Sequence, residues 1–99
     1  MAQFDVHQMA NGDALVLDCQ TDLLSHIDSR FIVPLVPPGK TLPAARRLNP
    51  VFSIGGGDYV MLTQSASAIR TRDLGPVVTS LAAHHTEIVG ALDMLITGV

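Results

Sequence analysis

The sequence predicts an α+β domain, mainly β: a small antiparallel sheet, strongly curved or rolled into a half-barrel, plugged by one C-terminal helix. Three observations carry this. Short apolar runs recur as far as Ser80, each bounded by turns rich in Gly, Pro or Asn. The one long helical pattern comes after them, over Leu81 to Val99. No repeat, linker or low-complexity stretch divides the 99 residues, so residues 1–99 form a single domain with one core.

Taken in order, Gln3 to Met9 alternates Phe4 and Val6 against Asp5 and His7, a short strand. Ala10-Asn11-Gly12-Asp13 follows, and Asn-Gly between apolar runs is a strong hairpin signal. Ala14 to Gln20 returns as a second strand. Thr21 to Ser29 is a polar loop that nevertheless carries Leu23, Leu24 and Ile27. Arg30 to Val36 is a third strand interrupted by Pro34, which lacks a backbone donor and so predicts an edge or a bulge. Pro37 to Lys40 is a turn, and Thr41 to Asn49 is a polar connection containing Arg46 and Arg47. Pro50 to Ile54 and Tyr59 to Thr63 are strands joined by a hairpin turn at Gly55-Gly56-Gly57-Asp58. Gln64 to Ser67 is small and polar, Ala68 to Asp73 is a short strand, and Leu74-Gly75-Pro76 punctuates before the extended Val77-Val78.

The terminal helix begins within Leu81 to His84. Leu81, His85, Ile88, Leu92 and Leu95 recur at steps of three and four and form its apolar stripe. Val89 and Ile96 lie off that stripe and widen the apolar surface. Gly98 is the natural stop, because Gly takes the left-handed C′ conformation without steric cost. An apolar, uncharged terminus predicts a cover: the protein's own core, a second copy or a target.

Composition excludes several classes. The formal net charge is -3 and no run of Lys or Arg exists, which argues against a broad phosphate-binding surface. Cys19 is the only cysteine, so neither an internal disulfide nor a zinc set can be built on thiols. The opening residues show no secretory signal and no apolar run approaches a membrane span, so a cytoplasmic location is expected.

Few constellations suggest chemistry. His84 and His85 are adjacent, so on a helix they diverge by about 100 degrees and cannot readily share a metal ion. Gly55-Gly56-Gly57 lies between two strands and is followed by neither Lys-Ser/Thr nor a helix, so it reads as a turn rather than a phosphate loop. Arg70-Thr71-Arg72-Asp73 is the one cluster with catalytic potential. With His7 or His84 nearby it would make a metal-independent ribonuclease, whereas its ordinary reading is a solvated strand edge. No triad, paired-carboxylate set or cofactor fingerprint is present, so neither an enzyme nor a cofactor is expected.

Several stretches, in this order and spacing, resemble the CcdB family. They are Gln3-Phe4-Asp5-Val6, Leu17-Asp18-Cys19-Gln20-Thr21-Asp22-Leu23-Leu24 and Arg30-Phe31-Ile32-Val33-Pro34-Leu35. Leu48-Asn49-Pro50-Val51-Phe52-Ser53-Ile54-Gly55, Tyr59-Val60-Met61-Leu62-Thr63 and the closing Ala91 to Val99 continue the likeness. The family comprises toxins of toxin–antitoxin pairs that poison DNA gyrase. The resemblance implies a homodimer of SH3-like, five-stranded barrels with a C-terminal helix, the fold of the MazF/Kid endoribonucleases, and no catalysis.

It also implies partners and sites. The paired helix tips wedge into the A subunit of DNA gyrase and trap its cleavage complex with DNA. The contacts fall on Asp93, Ile96, Thr97, Gly98 and Val99, with Leu23 and Leu24 in the exposed loop. A CcdA-like antitoxin folds onto the toxin on binding, at Met9, Asn11 and Asp13 and at Arg46 and Arg47. The toxin alone is not expected to bind nucleic acid or a membrane. One departure stands out: Thr97 occupies the position where the best-studied members carry Trp, a typical interface anchor. The alternatives are an endoribonuclease toxin, favoured by the Arg-Thr-x-Asp-like stretch at Arg70, and an inactive or weakened CcdB homologue. Against the endoribonuclease, the chain lacks that branch's basic, Gly-Asp-led first strand.

Overall fold

A computed structural model describes residues 2–39 and 46–98. Seven strands form one antiparallel sheet: β1 (Asp5–Met9), β2 (Leu15–Asp18), β3 (Ser29–Val36), β4 (Val51–Ile54), β5 (Gly57–Met61), β6 (Ser67–Arg70) and β7 (Leu74–Ser80). Helix α1 (His85–Thr97) closes the described chain, preceded by a 3-10 turn over Ala82–His84. The strand order is β4-β5-β3-β2-β1-β7, with β6 pairing β3. Because β6 lies against β3 and β7 against β1, the link between them carries the chain across the β1–β2–β3 face and curls the sheet into a half-barrel.

β3 is the hub. Its partners are β2, β5 and β6, so Pro34 marks neither an edge nor a bulge. β6 pairs Ser29 to Ile32, and β5 pairs Leu35 and Val36 on the same side of the strand. Pro34 sits in the gap between them, and its carbonyl accepts a hydrogen bond from Leu62 N–H at 2.9 Å. A missing N–H costs no ladder bond where no strand stands opposite.

The turns divide by glycine geometry. Gly55 and Gly56 have φ of 59° and 86° between the paired Ile54 and Gly57, the backbone of a tight two-residue hairpin. The first hairpin also forms, but through a longer loop: Met9 N–H donates to Ala14 O, and Gly12 is not in the positive-φ region. Asn11-Gly12 thus marks the reversal without making the two-residue turn. Leu74-Gly75-Pro76 is strand, and a Cβ on Gly75 would lie 2.5 Å from the Gln8 carbonyl. That contact accompanies the register shifts of the bulged β1–β7 pair.

One face of β1–β3 supplies Val6, Leu17, Val33 and Leu35 to a core completed by Phe4, Cys19, Phe52, Ile54, Met61, Leu81, Ile88 and Ala91. Phe4 reaches this core from an unusual φ of 70°, held by bonds with Asp18 O and Leu81 N–H. The helix seats part of the expected stripe, Leu81, Ile88 and Leu92, and adds Ala91 and Val89 to it. Ile88 and Ala91 are fully buried, with Val89 and Leu92 packed beside them, whereas His85 is exposed and Leu95 is 43% exposed. Burying Ile88 contributes roughly 1.5–3 kcal/mol to docking. No helix among the described residues is long and apolar enough to cross a membrane.

Candidate functional site

The last turn of the helix carries exposed apolar side chains. Ile96 is 76% exposed, and Leu95 lies next to it. Thr97 does not project from the tip: its hydroxyl donates to Asp93 O at 2.8 Å, folding the side chain back along the helix. Gly98, at φ 76°, ends the helix by donating its N–H to Met94 O. The expected stop is therefore where the structure places it. Asp93 is exposed on the same last turns. Val99 lies outside the described residues.

A second apolar tip stands on the β2–β3 loop. A 3-10 turn over Asp22–Leu24, capped by the Thr21 hydroxyl, presents Leu23 at 85% exposure with Leu24 and Ile27 beside it. The turn is tied to the chain's start, where Gln3 N–H donates to Asp22 Oδ1 at 2.8 Å. Three large aliphatic side chains on one short loop amount to more exposed apolar surface than a loop needs.

The residues expected to meet an antitoxin fall into two places. Met9, Asn11 and Asp13 line the first hairpin, where Gln8 Nε2 donates to Asp13 Oδ1. Arg46 and Arg47 are exposed and line a cavity of about 600 Å³ with Asn49, Pro50, Val51 and Glu87. Residues 41–45 of the polar connection lie outside the described residues. Asn49 anchors the cavity wall, donating to Met61 O and to Gln64 Oε1.

Arg70-Thr71-Arg72-Asp73 is not one strand. β6 ends at Arg70, and Thr71–Asp73 is a 3-10 turn. Arg70, Arg72 and Asp73 are exposed. His7 does not join them: it is 1% exposed, and its Nδ1 pairs with Gly75 O at 3.0 Å. His84 and His85 each pack against an aromatic ring. His84 lies 5.0 Å from Phe52 and 3.0 Å from Glu87 Oε1, while His85 meets Phe4 edge-on at 5.4 Å. No group of metal-ligating side chains exists among the described residues.

The sequence reading missed a buried polar group. Asp18 and Arg30 lie on the face of β2 and β3 opposite the main core, at 0% and 1% exposure and 3.8 Å apart. That is an ion pair too long for a hydrogen bond. Asp18 Oδ2, Arg30 Nε and Nη1, His7 Nε2 and Thr71 Oγ1 are buried without a hydrogen-bond partner among the described residues. Desolvation raises the Asp18 pKa, and the Gln20 N–H, Arg30 and His7 offset part of the rise. Next to it, burial pushes the Cys19 thiol up to about 12, with the Asp18 charge adding to the effect. The available signal was a single charge inside each apolar run, at Leu17-Asp18-Cys19 and Arg30-Phe31-Ile32.

Among solved structures, the Mycobacterium tuberculosis toxin MazF-mt6 superimposes with a TM-score of 0.76 at 14% identity, over 93% of this chain and 95% of its own. An endoribonuclease in complex with its cognate antitoxin, from Mycobacterial species, gives 0.76 at 15% identity, over 97% and 94%. At such identities the likeness is one of fold, and it agrees with the half-barrel and terminal helix described above. No curated protein sequence matches the chain. The family model for CcdB protein matches residues 3–98, spanning every strand and the helix through its Gly98 cap; by that match the chain belongs to the CcdB family.

Proposed function

We propose that this chain is the toxin of a type II toxin–antitoxin pair, a non-enzymatic cytoplasmic protein that binds the A subunit of DNA gyrase and traps the gyrase–DNA cleavage complex. The observation that carries the reading, beside the family, is the helix end with Ile96 exposed and Thr97 bonded back onto Asp93. In a tip of this shape Ile96 takes the anchoring role that Trp holds in the best-studied family members, since Thr97 is bonded back along the helix. Leu23 and Leu24 offer a second apolar contact. The toxin acts as a homodimer, which brings two helix ends to one target. A CcdA-like antitoxin neutralises it, with contacts at Met9, Asn11 and Asp13 and at Arg46 and Arg47; the antitoxin seen on one structural neighbour supports such a partner.

The deciding experiment is a supercoiling and cleavage assay with purified gyrase. Trapped cleavage complex is expected, lost when Gly98 and Val99 are removed while circular dichroism stays unchanged. Thr97→Trp is expected to tighten gyrase binding by on the order of 2 kcal/mol. A truncated chain that still arrests growth would sink the tip mechanism.

A second reading, a MazF-like endoribonuclease toxin, draws support from Arg70, Arg72 and Asp73 standing exposed together. Its weakness is that His7 is enclosed and cannot reach a ribose hydroxyl. Cleaved RNA without trapped gyrase complex, lost on Arg70→Ala, would establish it. No effect in either assay would mark a weakened or inactive family member.

A further inference from the structure

Among the described residues β4 is an edge strand, paired on one side by β5 alone. Pro50 and Met61 share a ladder bond and Ile54 faces Gly57 across the tight turn, so Phe52 makes the intervening bonds to β5. The alternation of an antiparallel ladder then turns the N–H and C=O of Val51 and Ser53 away from β5. Neither residue has a backbone partner on that side among the described residues. Val51 is half exposed, and it borders the 600 Å³ cavity walled by Pro50, Arg46, Arg47 and the first turn of α1 at Glu87. Two of the six basic residues of a chain with net charge -3 thus stand beside one unpaired edge. β6 and β7 also pair on one side only among the described residues, and β7 carries Pro76.

We infer that β4 is a strand-addition site for an extended acidic peptide. Its backbone pairs with Val51 and Ser53, its carboxylates meet Arg46 and Arg47, and an apolar side chain fills the cavity beside Pro50 and Val51. Main-chain bonds supply register and the flanking pocket supplies selectivity. The inference deepens the antitoxin part of the proposed function and rests on it for the natural source of the peptide.

The test uses the full chain, labelled with nitrogen-15, and two synthetic peptides, one alternating glutamate with valine and one alternating lysine with valine. The glutamate peptide is expected to shift and protect the Val51 and Ser53 amides, while the lysine peptide leaves them unchanged. Ser53→Pro removes an outward donor but none of the β4–β5 bonds, so it should weaken the glutamate peptide about tenfold with the fold intact. Arg46→Glu combined with Arg47→Glu should do the same. Shifts confined to β7 or the first hairpin, or equal binding of both peptides, overturn the proposal. So does concentration-dependent self-association that Ser53→Pro abolishes, because the occupant would then be a second copy. The two readings separate with the co-encoded antitoxin. Undiminished neutralisation of the Ser53→Pro toxin rejects the β4 site and spares the antitoxin reading. A glutamate peptide seated on β4 beside an antitoxin that binds nowhere does the reverse.

Discussion

Replacing Arg30 with methionine isolates the charge of Asp18. In the native chain Asp18 Oδ1 accepts from Gln20 N–H at 3.1 Å, and Oδ2, without a hydrogen-bond partner among the described residues, faces the Arg30 guanidinium 3.8 Å away. Both side chains are at most 1% exposed, so solvent screening does not blunt the loss. Removing one member of a buried pair costs ~3–5 kcal/mol. The long separation and the unbonded Nε and Nη1 atoms place Arg30→Met at the lower end, about 3 kcal/mol near neutral pH. The pH dependence has a definite sign. Desolvation already lifts the Asp18 pKa above its ordinary 3.8, so ionising it in the folded state lowers stability as pH climbs from that value through the folded pKa. Losing Arg30 lifts the folded pKa further and extends that window upward. Urea unfolding at fixed protein concentration should therefore show a large deficit for Arg30→Met near pH 7, relieved at about pH 4. The pair Asp18→Leu with Arg30→Met should recover the loss or exceed the native stability by ~1–4 kcal/mol. A deficit below about 1 kcal/mol near neutral pH, or one equal at both pH values, would refute the reasoning.

Other perturbations are smaller in scope. Gly55→Ala should cost about 1–2 kcal/mol in the same assay, since φ of 59° is a region that L side chains avoid even though nothing lies within 4 Å of the added Cβ. Gly75→Ala should cost ~1–3 kcal/mol and alter the β1–β7 amide shifts, because its methyl would sit 2.5 Å from Gln8 O. Cys19 should react with a thiol reagent at the rate of unfolding rather than as a free thiol. With its pKa raised from 9.0 to about 12, stability should fall across that interval by up to ~1.4 kcal/mol per pH unit, a slope that Cys19→Ala removes.

The first five strands were legible because alternation and turn residues are local signals, whereas which strands pair, and the bounds of β6 and β7, were not. Gly55-Gly56 and Gly98 were read correctly for the reason they exist, a backbone region that other residues avoid. Pro34 misled because its meaning depends on which strand stands opposite, and that is set by β5 and β6, far along the chain. Of the helix stripe, Leu81, Ile88 and Leu92 were read correctly, while periodicity did not foresee that Ala91 is buried and Leu95 43% exposed. Of the candidate site, the exposed Leu23, Leu24 and Ile96 were foreseeable as apolar residues out of place. That Thr97 turns back onto the helix was not, since its bond to Asp93 O is a matter of side-chain rotation. The buried Asp18–Arg30 pair escaped because charge within a strand ordinarily signals solvent.

The pairing of β1 with β7 has a consequence for how the protein is made. Residues Asp5 to Met9 leave the ribosome long before their outer neighbours, Leu74 to Ser80, have been synthesised. Leu81 N–H then bonds Phe4 O, and His85 packs its ring against Phe4, fastening the first strand to the start of the helix. Contacts of such long sequence separation slow folding and leave early strands without partners meanwhile. Translation must therefore pass His85 before the half-barrel can close. A shorter nascent chain carries no finished tip, so folding, like any harm the protein does, waits for the helix.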